Sequence, residues 1–153
     1  TNDFSFSLDR VRRSAALAPV EHAFVTRLRM VHSHGPVSEA ASELYAFAEH
    51  FANGRPDVVR FTSVVETNGI LEASFRSNGR RIERAELLYT LEGEGVKWSD
   101  RHFRVMNVDD FDPKSGFVRV NVPTGAYAFV LNVIACDGKV SSTPYQRGEG
   151  YDR

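Results

Sequence analysis

Two segments in the first third of the chain have apolar residues at the spacing of an α-helix. The first follows Ser7, a favourable N-cap residue, and ends before Pro19. The second begins at Ser38 and ends at Asn53-Gly54, where a glycine can adopt the left-handed conformation that stops a helix. The apolar positions of this second helix are Ala40, Leu44, Phe47 and Phe51. We expect them to pack against a neighbouring element, because an apolar stripe normally faces a core.

Between these helices, residues 24–30 predict a β-strand. Phe24, Thr26, Leu28 and Met30 fall on one side, and the other side is more basic. Residues 32–36 follow and are too rich in turn formers to continue the strand. The order helix, strand, loop, helix is typical of an α/β protein.

From residue 58 onward the period of the pattern drops to two, and turn signals such as Asn68-Gly69 and Asp137-Gly138 recur at short intervals. The predicted strands are residues 58–66, 70–75, 82–91, 102–108, 117–122, 126–136 and 139–143. The predicted inward-facing residues are Leu71, Ala73, Phe75, Leu87, Tyr89, Leu91, Val118, Val120, Val122, Phe129, Leu131, Val133 and Ala135. Seven strands is the number found in immunoglobulin and fibronectin type III sandwiches.

The predicted fold is therefore mixed but mainly β. Residues 1–54 form a small α/β segment, residues 55–145 a seven-stranded sandwich of the immunoglobulin or fibronectin III type, and residues 146–153 a flexible polar tail.

Composition narrows the possible partners. Nineteen Lys and Arg residues against twenty Asp and Glu residues give a net charge of -1, so we expect no nucleic-acid partner. The longest apolar run, residues 126–136, is shorter than the roughly 20 residues of a spanning helix and is interrupted by Asn132, so no membrane span is expected. The single cysteine, Cys136, allows no intrachain disulfide, and its position in the apolar run predicts a buried thiol.

Candidate chemistry in the first 54 residues rests on Asp3 and on the histidines His32 and His34. In an open parallel sheet, successive strands bring their carboxyl ends to one edge, where ligands bind. A carboxylate there can accept a hydrogen bond from an imidazole and leave its other nitrogen free to take a proton from a nucleophile. Asp3 and one of the histidines would then be two members of a catalytic triad.

At these residues the sequence resembles the C-terminal end of α/β-hydrolases, especially the bacterial branch of acetyl xylan esterases, dienelactone hydrolases and prolyl-oligopeptidase-like enzymes. The acid loop is matched by Thr1-Asn2-Asp3-Phe4, and the histidine loop by Leu28-Arg29-Met30-Val31-His32-Ser33-His34-Gly35-Pro36. The final helix is matched by Glu43-Leu44-Tyr45-Ala46-Phe47-Ala48. The resemblance covers about a third of the chain. It implies that Asp3 is the acid and His34 the base, because a small residue precedes His34 and a glycine follows it; His32 is the close alternative.

The sequence contains neither a Gly-x-Ser-x-Gly motif nor an oxyanion loop. The expected function is accordingly that of the C-terminal part of a serine-type α/β-hydrolase, an esterase or peptidase, which has an accessory sandwich and is inactive alone. Its partners would be an upstream hydrolase domain and a small ester or peptide substrate, with no cofactor. The first residue, Thr1, suggests that the chain was cut from something longer. The resemblance is also compatible with an exported bacterial enzyme, periplasmic or extracellular.

Two other classes of function remain open. The first is a non-catalytic immunoglobulin-like module that binds a carbohydrate or protein partner; its aromatic candidates are Trp98, Tyr127 and Tyr145. The second is a metal site, since two imidazoles at His32 and His34 can bind one zinc or iron ion that Asp3 completes.

Overall fold

The structure, a computed structural model, describes residues 7–17, 23–29 and 42–148 of the chain. The helices are α1 (Leu8–Leu17) and α2 (Ser42–Asn53), and Trp98–Asp100 forms a short 3-10 helix. The strands are β1 (Arg60–Thr67), β2 (Ile70–Arg76), β3 (Ile82–Thr90), β4 (Arg104–Asn107), β5 (Phe111–Asp112), β6 (Phe117–Asn121), β7 (Ala128–Ala135), β8 (Val140–Ser142) and β9 (Gln146–Arg147). The protein is mainly β, as predicted.

The strands form two sheets in which every described pairing is antiparallel. One sheet has the order β1-β2-β6-β5, and the other has the order β4-β3-β7-β8, with β9 also paired to β7. The hairpin of β1 and β2 closes through Asn68 and Gly69, whose φ angles of 52° and 75° are those of the two-residue turn predicted there.

The described residues contain nine strands, whereas the periodicity predicts seven. The seven predicted segments correspond to β1–β4 and β6–β8. The two additional strands, β5 and β9, have two residues each, too few for an alternating pattern to be visible in the sequence. β9 lies in the predicted tail, and the next residue, Gly148, donates its N–H to the carbonyl of Tyr127 at 3.0 Å. Residues 149–153 lie outside the described part of the chain.

Both sheets contribute to one hydrophobic core. Its buried members include Leu71 and Phe75 from β2, Val118 from β6, and Leu131 from β7. Most predicted inward residues are buried as expected; Tyr89 and Val122 are half-buried, and Leu91 is exposed because it follows the end of β3. Burial of each large apolar side chain stabilises the fold by about 1.5–3 kcal/mol.

The central strand β7 is buried on both of its faces. Its second face belongs to another cluster, formed by Tyr127, Ala128, Val130 and Tyr145, against which Leu8 and Trp98 pack. Alternation predicts only one buried face for this strand. The second face is covered because α1 and the Trp98 turn, both remote in sequence, pack over it.

Both helices have the capping residues that the sequence predicts. The Oγ of Ser7 accepts a hydrogen bond from the N–H of Arg10 at 3.4 Å, at the start of α1. α2 ends at Gly54, which has a φ of 62° and donates its N–H to the carbonyl of His50 at 3.0 Å. The predicted start of this helix at Ser38 lies outside the described residues.

The strand predicted over residues 24–30 is not formed within the described residues 23–29. Phe24 makes a single antiparallel bridge to Ser142, and Leu28 and Arg29 form a turn in which Arg29 has a φ of 53°. The pairing does not continue because the N–H of Thr26 donates to the side-chain Oγ of Ser142, at 2.7 Å, instead of to a backbone carbonyl.

The predicted burial of Cys136 is wrong. This residue lies just beyond the end of β7, in the turn before β8, and is exposed.

Candidate functional site

The predicted triad residues Asp3, His32 and His34 lie outside the residues that the structure describes. Their assignments as acid and base therefore stay predictions. We call residues 30–41, which contain His32 and His34, the histidine segment. The structure does describe the residues on both sides of it, namely 23–29 before it and α2 after it.

Arg27 and Glu43, which flank the histidine segment, contact each other. The guanidinium of Arg27 forms an ion pair with the Glu43 carboxylate, which is almost completely buried. The same carboxylate accepts the backbone N–H of Val140 in β8 at 2.9 Å, and Arg27 donates to the carbonyl of Gly138 at 3.4 Å. The two ends of the histidine segment are therefore held together at the β7–β8 hairpin.

A buried amide adds a second connection between the N-terminal residues and the sheet. The Nδ2 of Asn132 in β7 donates to the carbonyl of Thr26 at 3.0 Å and to the Glu86 carboxylate at 3.2 Å. Its Oδ1 accepts the hydroxyl of Ser142 at 2.7 Å. Every polar atom of the Asn132 side chain thus has a partner, as a buried amide requires.

The side of α2 that faces the sheets is only in part the one that its apolar pattern predicts. The buried residues of this helix are Glu43 and Ala46, whereas Leu44 and Phe51 are each 63% exposed. Glu43 can face the sheet because Arg27 and the N–H of Val140 compensate its charge. Leu44 and Phe51 of the apolar stripe therefore have no covering element among the described residues, whereas Phe47 is half-buried and contacts the guanidinium of Arg60 in β1.

Exposed apolar side chains are concentrated in the N-terminal elements. Seven of the ten large apolar residues that are exposed in the described chain lie in α1, residues 23–29 or α2. They are Val11, Leu17, Val25, Leu28, Leu44, Tyr45 and Phe51. The much longer β region, which we define as residues 60–147, contributes only Val65, Leu91 and Val105.

The first turn of α1 is attached to the β region by a polar contact. The hydroxyl of Tyr145 donates to the Asp9 carboxylate at 2.8 Å, and Nε of Arg147 donates to the Tyr145 oxygen at 3.1 Å. Burial raises the pKa of Tyr145 above its ordinary value of 10.0, and the hydrogen bond to Asp9 adds to the increase. Leu8 packs beside this contact.

The aromatic residues proposed for carbohydrate binding serve as packing residues. Tyr127 and Tyr145 are buried, and Trp98 is half-buried. The guanidinium of Arg101 lies 4.1 Å from the ring centre of Trp98 and 4.3 Å from that of Tyr127. These three aromatic side chains therefore do not form an exposed sugar-stacking platform, and the binding-module hypothesis stays a prediction without them.

Neither a metal site nor a membrane helix is found in the described ranges. No group of three or more His, Cys, Asp or Glu side chains there could hold a metal ion. The proposed site at His32 and His34 lies outside these ranges and stays a prediction. No helix among the residues that the structure describes is long and apolar enough to cross a membrane.

No protein-family model matches this chain, and no curated protein sequence matches it.

Three polar residues with large structural roles are not apparent from the sequence pattern. Glu43 is recognisable only as an acidic residue near a helix N-terminus, and Asn132 only as an interruption of an apolar run. Arg101 occurs in a polar stretch without a recognisable motif. Glu43 and Asn132 have partners about a hundred residues away, so local spacing holds no signal for them. Arg101 donates to the nearby carbonyls of Gly93 and Val96, but no motif marks that contact.

Proposed function

We propose that this chain is the closing part of a serine-type α/β-hydrolase, followed by an immunoglobulin-like accessory unit. The α/β part would supply the acid Asp3 and the base His34, with His32 as the alternative base. The nucleophilic serine would come from a hydrolase portion outside this sequence. The substrates would be small esters or peptides.

The observation that carries this proposal is the exposure of two large residues in the apolar stripe of α2. Leu44 and Phe51 are exposed, while the buried side of the helix contains Glu43. A helix with an apolar stripe is stable in a larger domain when that stripe faces a sheet or another helix. The last helix of an α/β-hydrolase has such a position, and the upstream hydrolase portion would cover this surface.

The strand order supports the immunoglobulin-like assignment of the β region. An immunoglobulin sandwich has strands A, B, E and D in one sheet and strands C, F and G in the other. Lettering the strands in chain order, with β4 as an additional C′ strand, turns β1-β2-β6-β5 into A-B-E-D. The second sheet, β4-β3-β7-β8, becomes C′-C-F-G. The additional β9 pairs with β7 and is not part of this scheme.

The proposed reaction is acyl transfer to serine followed by hydrolysis. Asp3 accepts a hydrogen bond from one nitrogen of His34 and fixes its tautomer. The other nitrogen takes the serine proton as the serine oxygen bonds to the substrate carbonyl carbon, and that proton then goes to the departing alkoxide or amine. A water molecule then attacks the acyl-serine ester in the same way. The histidine takes the proton of this water and returns it to the serine oxygen as the carboxylic acid product leaves. The ion pair of Arg27 and Glu43 would hold the histidine segment against the accessory unit.

The direct test is an esterase assay of the longer open reading frame that contains this chain, with p-nitrophenyl acetate as substrate. We expect His34→Ala to lower turnover by on the order of 10³-fold or more. His102→Ala is the control, because this histidine is exposed and lies in the β region. The same loss with His32→Ala and not with His34→Ala would move the base to His32. A longer protein without esterase activity, or one indifferent to both changes, would refute the proposal.

A second test addresses the exposed part of this stripe. Leu44→Ser should alter the stability of the 153-residue chain by no more than about 0.5 kcal/mol, because the side chain is exposed. In the longer protein the same change should cost about 2–4 kcal/mol, because Leu44 would be buried there. Val105→Ser, at an exposed position of β4, should have the same small effect in both proteins. Equal effects of Leu44→Ser in the two proteins would contradict the burial of α2.

A further inference from the structure

An open cleft of about 700 Å³ lies between the end of α2 and the strands β1 and β2. Its described lining residues lie between His50 and Asn78. Its lining includes three arginines, Arg55, Arg60 and Arg76, together with the polar residues Asp57 and Asn78. A cleft of this volume is in the range of small-molecule binding sites.

Two of the arginines are direct partners across the sheet. Arg60 in β1 is opposite Arg76 in β2 in the antiparallel register, so their side chains leave the same face of the sheet. Like charges in this position destabilise a strand pair. A bound anion would convert this repulsion into attraction.

Arg60 is held in place, and the Asp57 carboxylate offsets part of its charge. Its Nε donates to the Asp57 carboxylate at 2.8 Å, and its guanidinium lies 5.1 Å from the ring centre of Phe47. Asp57 also accepts the backbone N–H of Val58 at 2.8 Å. The one carboxylate of the cleft is thus occupied by these two donors.

Arg55 and Arg76 supply the uncompensated charge. Both are exposed, and neither forms an ion pair within the described ranges. Among the described lining residues there are therefore three guanidinium groups and one carboxylate. Positive charges around a concave surface focus the potential and attract anions.

The end of α2 does not oppose an anion strongly. Its final carbonyls accept hydrogen bonds from the chain that follows: His50 from the N–H of Gly54 at 3.0 Å, and Glu49 from the N–H of Arg55 at 3.4 Å. The Nδ1 of His50 lies 3.0 Å from the carbonyl of Arg55. Since a carbonyl oxygen can only accept, Nδ1 carries the proton in this contact.

We propose that this cleft binds a small molecule through a carboxylate or phosphate group, with Arg76 and Arg55 as its ligands and Arg60 as the fixed charge behind them. Guanidinium groups form paired hydrogen bonds to the planar or tetrahedral oxygens of such groups. This second proposal does not depend on the proposed hydrolase function.

The test is a calorimetric or NMR titration of the 153-residue chain with glucuronate, with glucose 6-phosphate and with neutral glucose. We expect saturable binding of at least one of the two anions, no binding of glucose, and weaker binding as NaCl is raised. The anion that binds more tightly identifies the preferred group. Arg76→Gln and Arg55→Gln should each weaken that binding at least about tenfold.

Arg104→Gln is the matched control, because Arg104 is also an exposed strand arginine outside the described ion pairs, but on β4 and away from the cleft. It should leave the affinity unchanged. Absence of saturable binding by both anions would overturn the proposal. Equal losses from Arg104→Gln and Arg76→Gln, or no loss from either cleft variant, would also overturn it.

Discussion

Replacing Asn132 by alanine tests how strongly the N-terminal residues are attached to the sheet. The substitution removes the hydrogen bonds to the carbonyl of Thr26, to Glu86 and from the hydroxyl of Ser142. Thr26 and Ser142 are buried, so their polar atoms lose a partner where water does not replace it.

The expected cost follows from the two groups left behind. A buried donor or acceptor without a partner costs about 1–3 kcal/mol. The Thr26 carbonyl would lose its donor, and the Ser142 hydroxyl would lose its acceptor. Together these losses should lower the free energy of unfolding by about 2–4 kcal/mol. For a chain of this length the melting temperature should fall by roughly 5–15 °C.

The assay is urea unfolding followed by circular dichroism, with Asn121→Ala as the control at an exposed position of β6. The control should change stability by no more than about 0.5 kcal/mol. Asn132→Asp keeps the shape of the side chain but turns its donor into an acceptor facing the Thr26 carbonyl and the Glu86 carboxylate, so it should be at least as destabilising as Asn132→Ala. A small effect of Asn132→Ala, equal to that of the control, would refute this account of the network.

Two further outcomes are expected. Because the folded-state pKa of Tyr145 is raised above 10.0, its hydrogen bond to Asp9 stabilises the fold fully below pH 10 and is lost as the pH rises through the raised value. Unfolding at pH 9 and pH 11 should therefore show a larger alkaline loss of stability in the wild type than in Tyr145→Phe; equal losses would contradict this. Gly116→Ala should destabilise by more than Gly95→Ala. Both glycines have positive φ, but a Cβ at Gly116 would overlap the carbonyl oxygen of Phe75, whereas one at Gly95 meets no atom within 4 Å. Equal melting temperatures of the two glycine variants would rule out that overlap.

The amino-acid sequence predicts less of the candidate site than of the fold. The predicted roles of Asp3, His32 and His34 come from residue order and from a family resemblance, and these residues lie outside the described chain. The arginine cleft has no motif in the sequence. Arg55, Arg60 and Arg76 become neighbours only when β1 pairs with β2 and when α2 packs beside them.

Local chemistry determines much of the secondary structure. Ser7 and Gly54 occupy the predicted ends of α1 and α2, and Asn68-Gly69 makes the predicted hairpin turn. The alternation of Leu71, Ala73 and Phe75 correctly identifies the buried face of β2. These features depend on residues within a few positions of one another, where backbone conformation and side-chain periodicity act directly.

The sequence by itself thus determined the mainly β class, the principal strands and their inward faces. Only the tertiary structure decided which surfaces are covered: both faces of β7 are buried, and α2 turns Glu43 rather than Leu44 toward the sheet. The physical reason is that burial of a charge or an amide depends on compensating partners. The partners of Glu43 and Asn132 include Val140 and Thr26, each about a hundred residues away along the chain.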